Sequence, residues 1–74
     1  MTGRKVLKST DKQAMLNLTI NGEPRATEAV TVADLVERLG YDRRRVAVEV
    51  NQEVIPLPRH PEHRLNPGDT VEIV

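Results

Sequence analysis

Apolar and polar residues alternate from Leu16 onward, where Leu16, Leu18 and Ile20 are separated by Asn17 and Thr19. A period of two marks a strand with one buried face. The next dipeptide, Asn21-Gly22, tolerates positive φ at both positions and so favours a type I′ hairpin turn. Glu23 to Glu28 then reads as a short return strand. Pro24 lies within it and has no N–H to donate, so this strand belongs at a sheet edge. At Thr31 the period changes. Val32, Leu35, Val36 and Leu39 recur at helical spacing, with Asp34, Glu37 and Arg38 on the opposite side. Thr31 can accept from the N–H of Asp34, whose carboxylate can reach back, a capping box with Asp in place of Glu. Gly40 follows, where helices commonly end in a left-handed residue.

Beyond the helix the alternation returns. From Arg45 to Val50, Val46, Val48 and Val50 fall on one side and Ala47 and Glu49 on the other. Asn51-Gln52 can turn the chain, although Gln at the second position is more strained in a type I′ turn than Gly. Glu53 to Ile55 is a short fourth strand, stopped by Pro56. The stretch Pro56 to Leu65 holds three prolines and two histidines. It reads as an irregular crossing loop with room for one 3₁₀ turn. Asn66-Pro67-Gly68-Asp69 places Pro and Gly at the two centres of a type II turn. Thr70 to Val74 is the final strand, with Val71 and Ile73 facing in. The order β-β-α-β-β-β predicts an α+β fold. A mixed sheet of four to five strands carries one helix across one face, with the first and last strands adjacent at its centre. That is the β-grasp, or ubiquitin-like, topology.

Charge and composition narrow the function. The chain has 74 residues, enough for one small domain, and 11 basic residues balance 11 acidic ones. The balance is uneven along the chain. Arg4, Lys5, Lys8 and Lys12 face only Asp11 in residues 1–14, whereas residues 15–74 hold seven Arg and ten acids. A basic N-terminal extension, expected to be disordered and to precede a candidate start at Met15, thus leads into an acidic domain. No apolar run approaches the roughly 20 residues of a membrane span, and residues 1–14 show no apolar leader. A cytoplasmic protein without membrane contact is expected. Zero net charge and a single aromatic residue argue against nucleic-acid binding, which rests on phosphate neutralisation and base stacking. With no Cys, disulfides, thiolate metal sites and a Cys nucleophile are excluded.

Little of the remainder points to catalysis. His60, Glu62 and His63 lie together and could ligate a metal, but no third imidazole accompanies them. In a Pro-rich loop they read as solvated surface histidines. Arg43-Arg44-Arg45 could bind a phosphate or an acidic partner, and reads as a solvated loop. Tyr41 reads as a ring packed at the helix end. Ser9 is the only Ser, and no Gly-rich phosphate loop exists because Gly3, Gly22, Gly40 and Gly68 are isolated. The residues describe a non-enzymatic domain that works through its surface or its termini.

Several segments carry a resemblance. They are Leu18-Thr19-Ile20-Asn21-Gly22-Glu23, Thr31-Val32-Ala33-Asp34-Leu35, Val46-Ala47-Val48-Glu49-Val50-Asn51, Glu53-Val54-Ile55-Pro56 and Gly68-Asp69-Thr70-Val71-Glu72-Ile73-Val74. In order and spacing, residues 15–74 resemble the ThiS family, the sulfur carriers of thiamine thiazole synthesis. The resemblance implies a C-terminal Gly-Gly tail a few residues after the last strand. A ThiF-like E1 adenylyltransferase would activate the terminal carboxylate with ATP, and a sulfur donor protein would convert it to a thiocarboxylate. A ThiG-like thiazole synthase would receive the sulfur. The carrier itself would bind no cofactor and hold no catalytic side chain. The chain departs from the pattern at Val74, where no Gly-Gly follows, and truncation ahead of the tail is the expectation. The partners would meet the sheet face away from the helix, where alternation places Arg45, Ala47, Glu49, Thr70, Glu72 and Val74. Three alternatives stay open. One is a MoaD-like sulfur carrier for molybdopterin synthesis, whose aromatic-rich stretch after the first strand has no counterpart here. The others are a TGS-like module and a free-standing β-grasp interaction domain.

Overall fold

A computed structural model describes residues 15–74, and the basic extension expected over residues 1–14 lies outside the described residues. Five strands form one sheet: β1 Leu16–Ile20, β2 Glu23–Thr27, β3 Val48–Val50, β4 Glu53–Ile55 and β5 Thr70–Ile73. Their spatial order is β2-β1-β5-β3-β4. The first and last strands run parallel, with Thr19 level with Thr70 and Ile20 with Val71, while the other neighbours are antiparallel. The β-grasp topology expected from the element order is therefore the observed one. Pro24 sits on β2, at the sheet edge.

Helix α1, Val32–Arg38, buries Val32, Leu35 and Val36 against the sheet. Leu18, Ile20, Val48, Val50, Val71 and Ile73 meet them, with Ala29, Ile55 and Leu65 closing the sides of the core. The helix starts as its sequence requires. The Thr31 hydroxyl accepts from Asp34 N–H at 3.1 Å, and the Asp34 carboxylate reaches one residue past the cap to take Val30 N–H at 3.0 Å. It ends in a Schellman arrangement. Gly40 N–H donates to the carbonyl of Glu37 and Tyr41 N–H to that of Val36, with Gly40 at φ +88°. Among the described residues no helix is long and apolar enough to cross a membrane.

Three local expectations change. The third strand is shorter than Arg45 to Val50, because Arg43–Arg45 forms a 3₁₀ turn. Asp42 drives this turn: its carboxylate accepts from Arg44 N–H and its carbonyl from Arg45 N–H. Tyr41 is only partly covered: the residue is 45% exposed, and its backbone N–H is what ties down the helix end. His60 is not a solvated histidine. It is 1% exposed, and its Nε2 lies 3.0 Å from the carbonyl of Ile55.

The burial of His60 follows from where the crossing loop travels. After the 3₁₀ turn Leu57–Arg59 the chain passes under the start of α1. There the His60 carbonyl accepts from Ala33 N–H and the His63 carbonyl from Val32 N–H, both at 3.0 Å. The first N–H groups of a helix have no partner within the helix, so the loop supplies theirs. Thr31 bridges to Arg64, and Leu65 N–H bonds the carbonyl of Val30, which fixes the loop along the helix entry.

Candidate docking face and strand end

The sheet face away from α1 is built by strand alternation. On β5, Val71 and Ile73 point into the core, so Thr70 and Glu72 point out, and Val74 beyond them is 82% exposed. On β3, Val48 and Val50 are buried and Glu49 lies on the other side. Register then brings these outward residues together. Glu49 stands opposite Glu72. Ala47 and Val74 exchange two backbone bonds of 2.8 and 3.0 Å, and Asn51 N–H bonds the carbonyl of Thr70 at 2.7 Å. Five of the six residues expected on this face, Ala47, Glu49, Thr70, Glu72 and Val74, therefore share it. Arg45 does not join them by alternation. It belongs to the 3₁₀ turn, where its guanidinium lies 3.8 Å from the Asp42 carboxylate.

Neighbouring strands extend the face. Val54 on β4 stands beside Glu49 and is 62% exposed. Thr19 on β1 lies beside Thr70, and Pro24 on β2 beside Thr19. The centre is thus small and hydroxylated, with two carboxylates across one strand pair and exposed valines beside them. Like charges directly opposite each other on a sheet are unfavourable. Neither Glu49 nor Glu72 has an ion-pair partner among the described residues, where Arg38 pairs with Glu28 and Asp34, and Arg45 with Asp42.

Side chains that sequence reasoning did not assign hold the two ends of β5. At its start, the Asn51 amide accepts Thr70 N–H at 3.0 Å and donates to the Asp69 carboxylate at 2.9 Å. Asp69 is buried and also accepts Asn66 N–H, which closes the turn before the strand. At its end, the Asn21 amide oxygen accepts Ile73 N–H at 2.7 Å. Asn-Gly and Asn-Gln are visible as turn signals, but nothing local in them announces contacts 52 residues away for Asn21 and 18 and 19 away for Asn51. His60, Glu62 and His63 do not converge. The His60 ring is directed at Ile55, while Glu62 is exposed and His63 half-buried. Among the described residues no group of three or more His, Asp or Glu is placed to hold a metal ion.

The ThiS family model matches residues 18–74 of this chain. The sulfur carrier protein ThiS of Thermus thermophilus is 38% identical over 55 residues, covering 74% of this chain and 86% of that protein. A thiazole synthase of Paramagnetospirillum magneticum is 45% identical over 60 residues, covering 80% of this chain and 18% of the synthase's length. The crystal structure of the thiamine biosynthesis protein ThiS from Geobacter metallireducens superposes with a TM-score of 0.72 at 30% identity, covering 80% of this chain and 91% of that one. A solution structure of a thiamine biosynthesis protein from the same organism gives a TM-score of 0.70 at 30% identity, over 80% of this chain and 81% of that one. The family match runs from within the first strand to the last, and the fold agrees with it: the chain belongs to the ThiS family.

Proposed function

We propose that this chain is the sulfur carrier of thiamine thiazole synthesis. The observation that carries the reading is the family match, which spans residues 18–74 and so takes in the outer sheet face and the strand leading to Val74. The chemistry takes place on a C-terminal glycine of the tail that the family resemblance implies after Val74. Its carboxylate attacks the α-phosphorus of ATP, giving an acyl adenylate and pyrophosphate. A hydrosulfide equivalent from a sulfur donor protein then adds to the acyl carbon and expels AMP. The product is the thiocarboxylate, with one proton released and no change in carbon oxidation state. Adenylation is required because a carboxylate is a poor electrophile, whereas AMP is a good leaving group. A glycine tail suits this chemistry, since residues without Cβ can enter a narrow active site.

The partners in this reading are an E1-like adenylyltransferase that uses the ATP, the sulfur donor and the thiazole synthase. One thiazole synthase relative contains a stretch similar to this chain within a much longer polypeptide, which supports the synthase as a partner. The docking surface is the face of Ala47, Glu49, Thr70, Glu72 and Val74, with Arg45 at its margin. Its unpaired carboxylates suit a basic counter-surface, which would relieve the Glu49–Glu72 repulsion on binding. The cytoplasm, where ATP is available, is the site of action.

The test is intact-mass analysis of the chain carrying a Gly-Gly tail after Val74, incubated with an E1-like adenylating enzyme, ATP and a sulfur source. Replacement of one terminal oxygen by sulfur is expected, and an unchanged mass overturns the carrier reading. Glu72→Lys tests the face separately. It should weaken binding to the adenylating enzyme and remove much of its salt dependence, while binding unaffected by either the substitution or salt would discard this surface.

A further inference from the structure

We infer that Asn21 is a positioning residue for the carrier's C-terminal chemistry, because its side chain fixes the direction in which the chain leaves β5. The inference rests on the carrier reading and adds to it a residue on a different hairpin.

β1 and β5 run parallel in register through Thr19 with Thr70 and Ile20 with Val71. Just past the end of β1, Asn21 N–H still donates to the carbonyl of Val71, at 2.9 Å, the last backbone bond on this flank of β5. At Asn21 the chain turns into left-handed backbone, φ +50°, and leaves toward β2. On this flank, β5 would thus run on unsupported through Ile73. Instead the Asn21 amide oxygen takes the Ile73 N–H at 2.7 Å, where a continuing strand would have offered a backbone carbonyl. A side-chain amide can mimic a peptide carbonyl in this way, and Asn tolerates the left-handed conformation the turn demands. On the other flank Ala47 exchanges both its bonds with Val74. The strand is therefore held from two sides up to the residue from which a tail departs, although β1 itself has already ended.

For a carboxylate that must thread into an enzyme, this hold matters to rate more than to docking. The sheet face sets where the carrier binds, and the strand end sets where the tail points. A misplacement of about 1 Å at a reacting group can cost on the order of a hundredfold in rate. Loosening Ile73 should therefore lower turnover and leave the affinity of the docked face alone.

The experiment uses the chain with a Gly-Gly tail and two substitutions. Asn21→Gly keeps the left-handed turn without strain and deletes the acceptor, whereas Asn21→Asp restores an oxygen at the same reach. Amide exchange is measured at Ile73, with the core amides of Val48 and Leu35 as controls. Steady-state thiocarboxylate formation is measured with an E1-like adenylating enzyme, ATP and a sulfur source. Asn21→Gly should speed exchange at Ile73 about tenfold more than at Val48 or Leu35 and lower kcat about tenfold, with KM for the carrier unchanged. Asn21→Asp should return both toward wild type. A general loss of stability would speed all three amides and reduce the folded carrier, raising apparent KM, so it gives a different pattern. The inference is overturned if Ile73 exchange does not change, if kcat is unaffected, or if the loss lies in KM alone. If the wild-type chain takes up no sulfur, the carrier reading fails and this role falls with it. If wild type reacts and Asn21→Gly reacts equally fast, only the role of Asn21 fails.

Discussion

The two hairpins solve one problem at different cost. The β1–β2 turn is Asn21-Gly22, with φ of +50° and +84°, and the β3–β4 turn is Asn51-Gln52, with φ of +51° and +72°. Both pass through left-handed backbone at both central positions, and both place an Asn first. Both asparagines reach sideways to β5, Asn51 to its first N–H and Asn21 to that of Ile73 near its end. The hairpins differ at the second position. Gly22 adopts its conformation freely, whereas Gln52 carries a Cβ where left-handed backbone costs about 1–2 kcal/mol. The β3–β4 turn tolerates this because Asn51 has two side-chain bonds to make, and Asn21 has one. These turns are clamps on the central strand as well as reversals of the chain.

The difference between the clamps predicts unequal losses. Asn51→Ala removes the acceptor for Thr70 N–H, leaves the buried Asp69 carboxylate short of a donor and puts Ala in left-handed backbone. It should destabilise the domain by about 2–3 kcal/mol in urea denaturation. Asn21→Ala loses one bond and incurs the same backbone strain, and about 1–2 kcal/mol is expected. Equal losses would mean that the Asn51–Asp69 bond contributes nothing, and a larger loss at Asn21 would invert the ranking of the two clamps.

Exchanging the second positions sharpens the contrast. Gln52→Gly relieves the strained residue and should raise stability by about 0.5–1 kcal/mol, the relief being partly offset by the entropy of an added glycine. Gly22→Ala should cost about 1 kcal/mol, although no atom lies within 4 Å of the Cβ it would add. That loss would be conformational strain alone. If Gln52→Gly proves neutral or destabilising, the Gln52 side chain makes a compensating interaction in solution.

The hairpins also show how far a sequence reveals its own contacts. Leu16 to Ile20, the helix between Thr31 and Gly40, the edge strand marked by Pro24 and the turn at Pro67-Gly68 are written in local period and local turn chemistry. The outward placement of Glu49 and Thr70 follows from that period. Arg45 escaped it because alternation cannot distinguish an extended chain from a 3₁₀ turn, although Asp42 two residues before Arg44 is a recognisable cap. His60 escaped because its burial depends on where a Pro-rich loop returns, and the helix N–H group that its carbonyl meets belongs to Ala33, far back along the chain. Asn21 and Asn51 were legible as turns and not as clamps, since their partners on β5 are set by register across the sheet. Local chemistry can thus be read along the chain, while contacts made by a turn's side chains need the topology first.

The smallest effect lies outside both hairpins and tests whether they act independently of the helix. The Asp34 carboxyl is held below its ordinary value of 3.8, first by accepting the Val30 N–H and then by the Arg38 guanidinium, whose Nε lies 2.9 Å away. A carboxylate with a lowered folded pKa stabilises the fold above its unfolded pKa, and that contribution disappears as pH falls through the folded value. Stability measured from pH 7 downward should thus be flat with respect to this group until about pH 4 and then decline below it. Asp34→Asn should remove that part of the decline and lower stability modestly at pH 7, since the group is partly exposed and its ion pair is screened. Placed on the Asn51→Ala background, Asp34→Asn should add its own small effect without coupling, because the two sites share no partner. An interaction energy well above about 0.5 kcal/mol would show that the helix entry and the β3–β4 clamp are linked. The crossing loop would be the connection, since it leaves β4 at Ile55, bonds Ala33 through His60 and returns through Asn66 to Asp69.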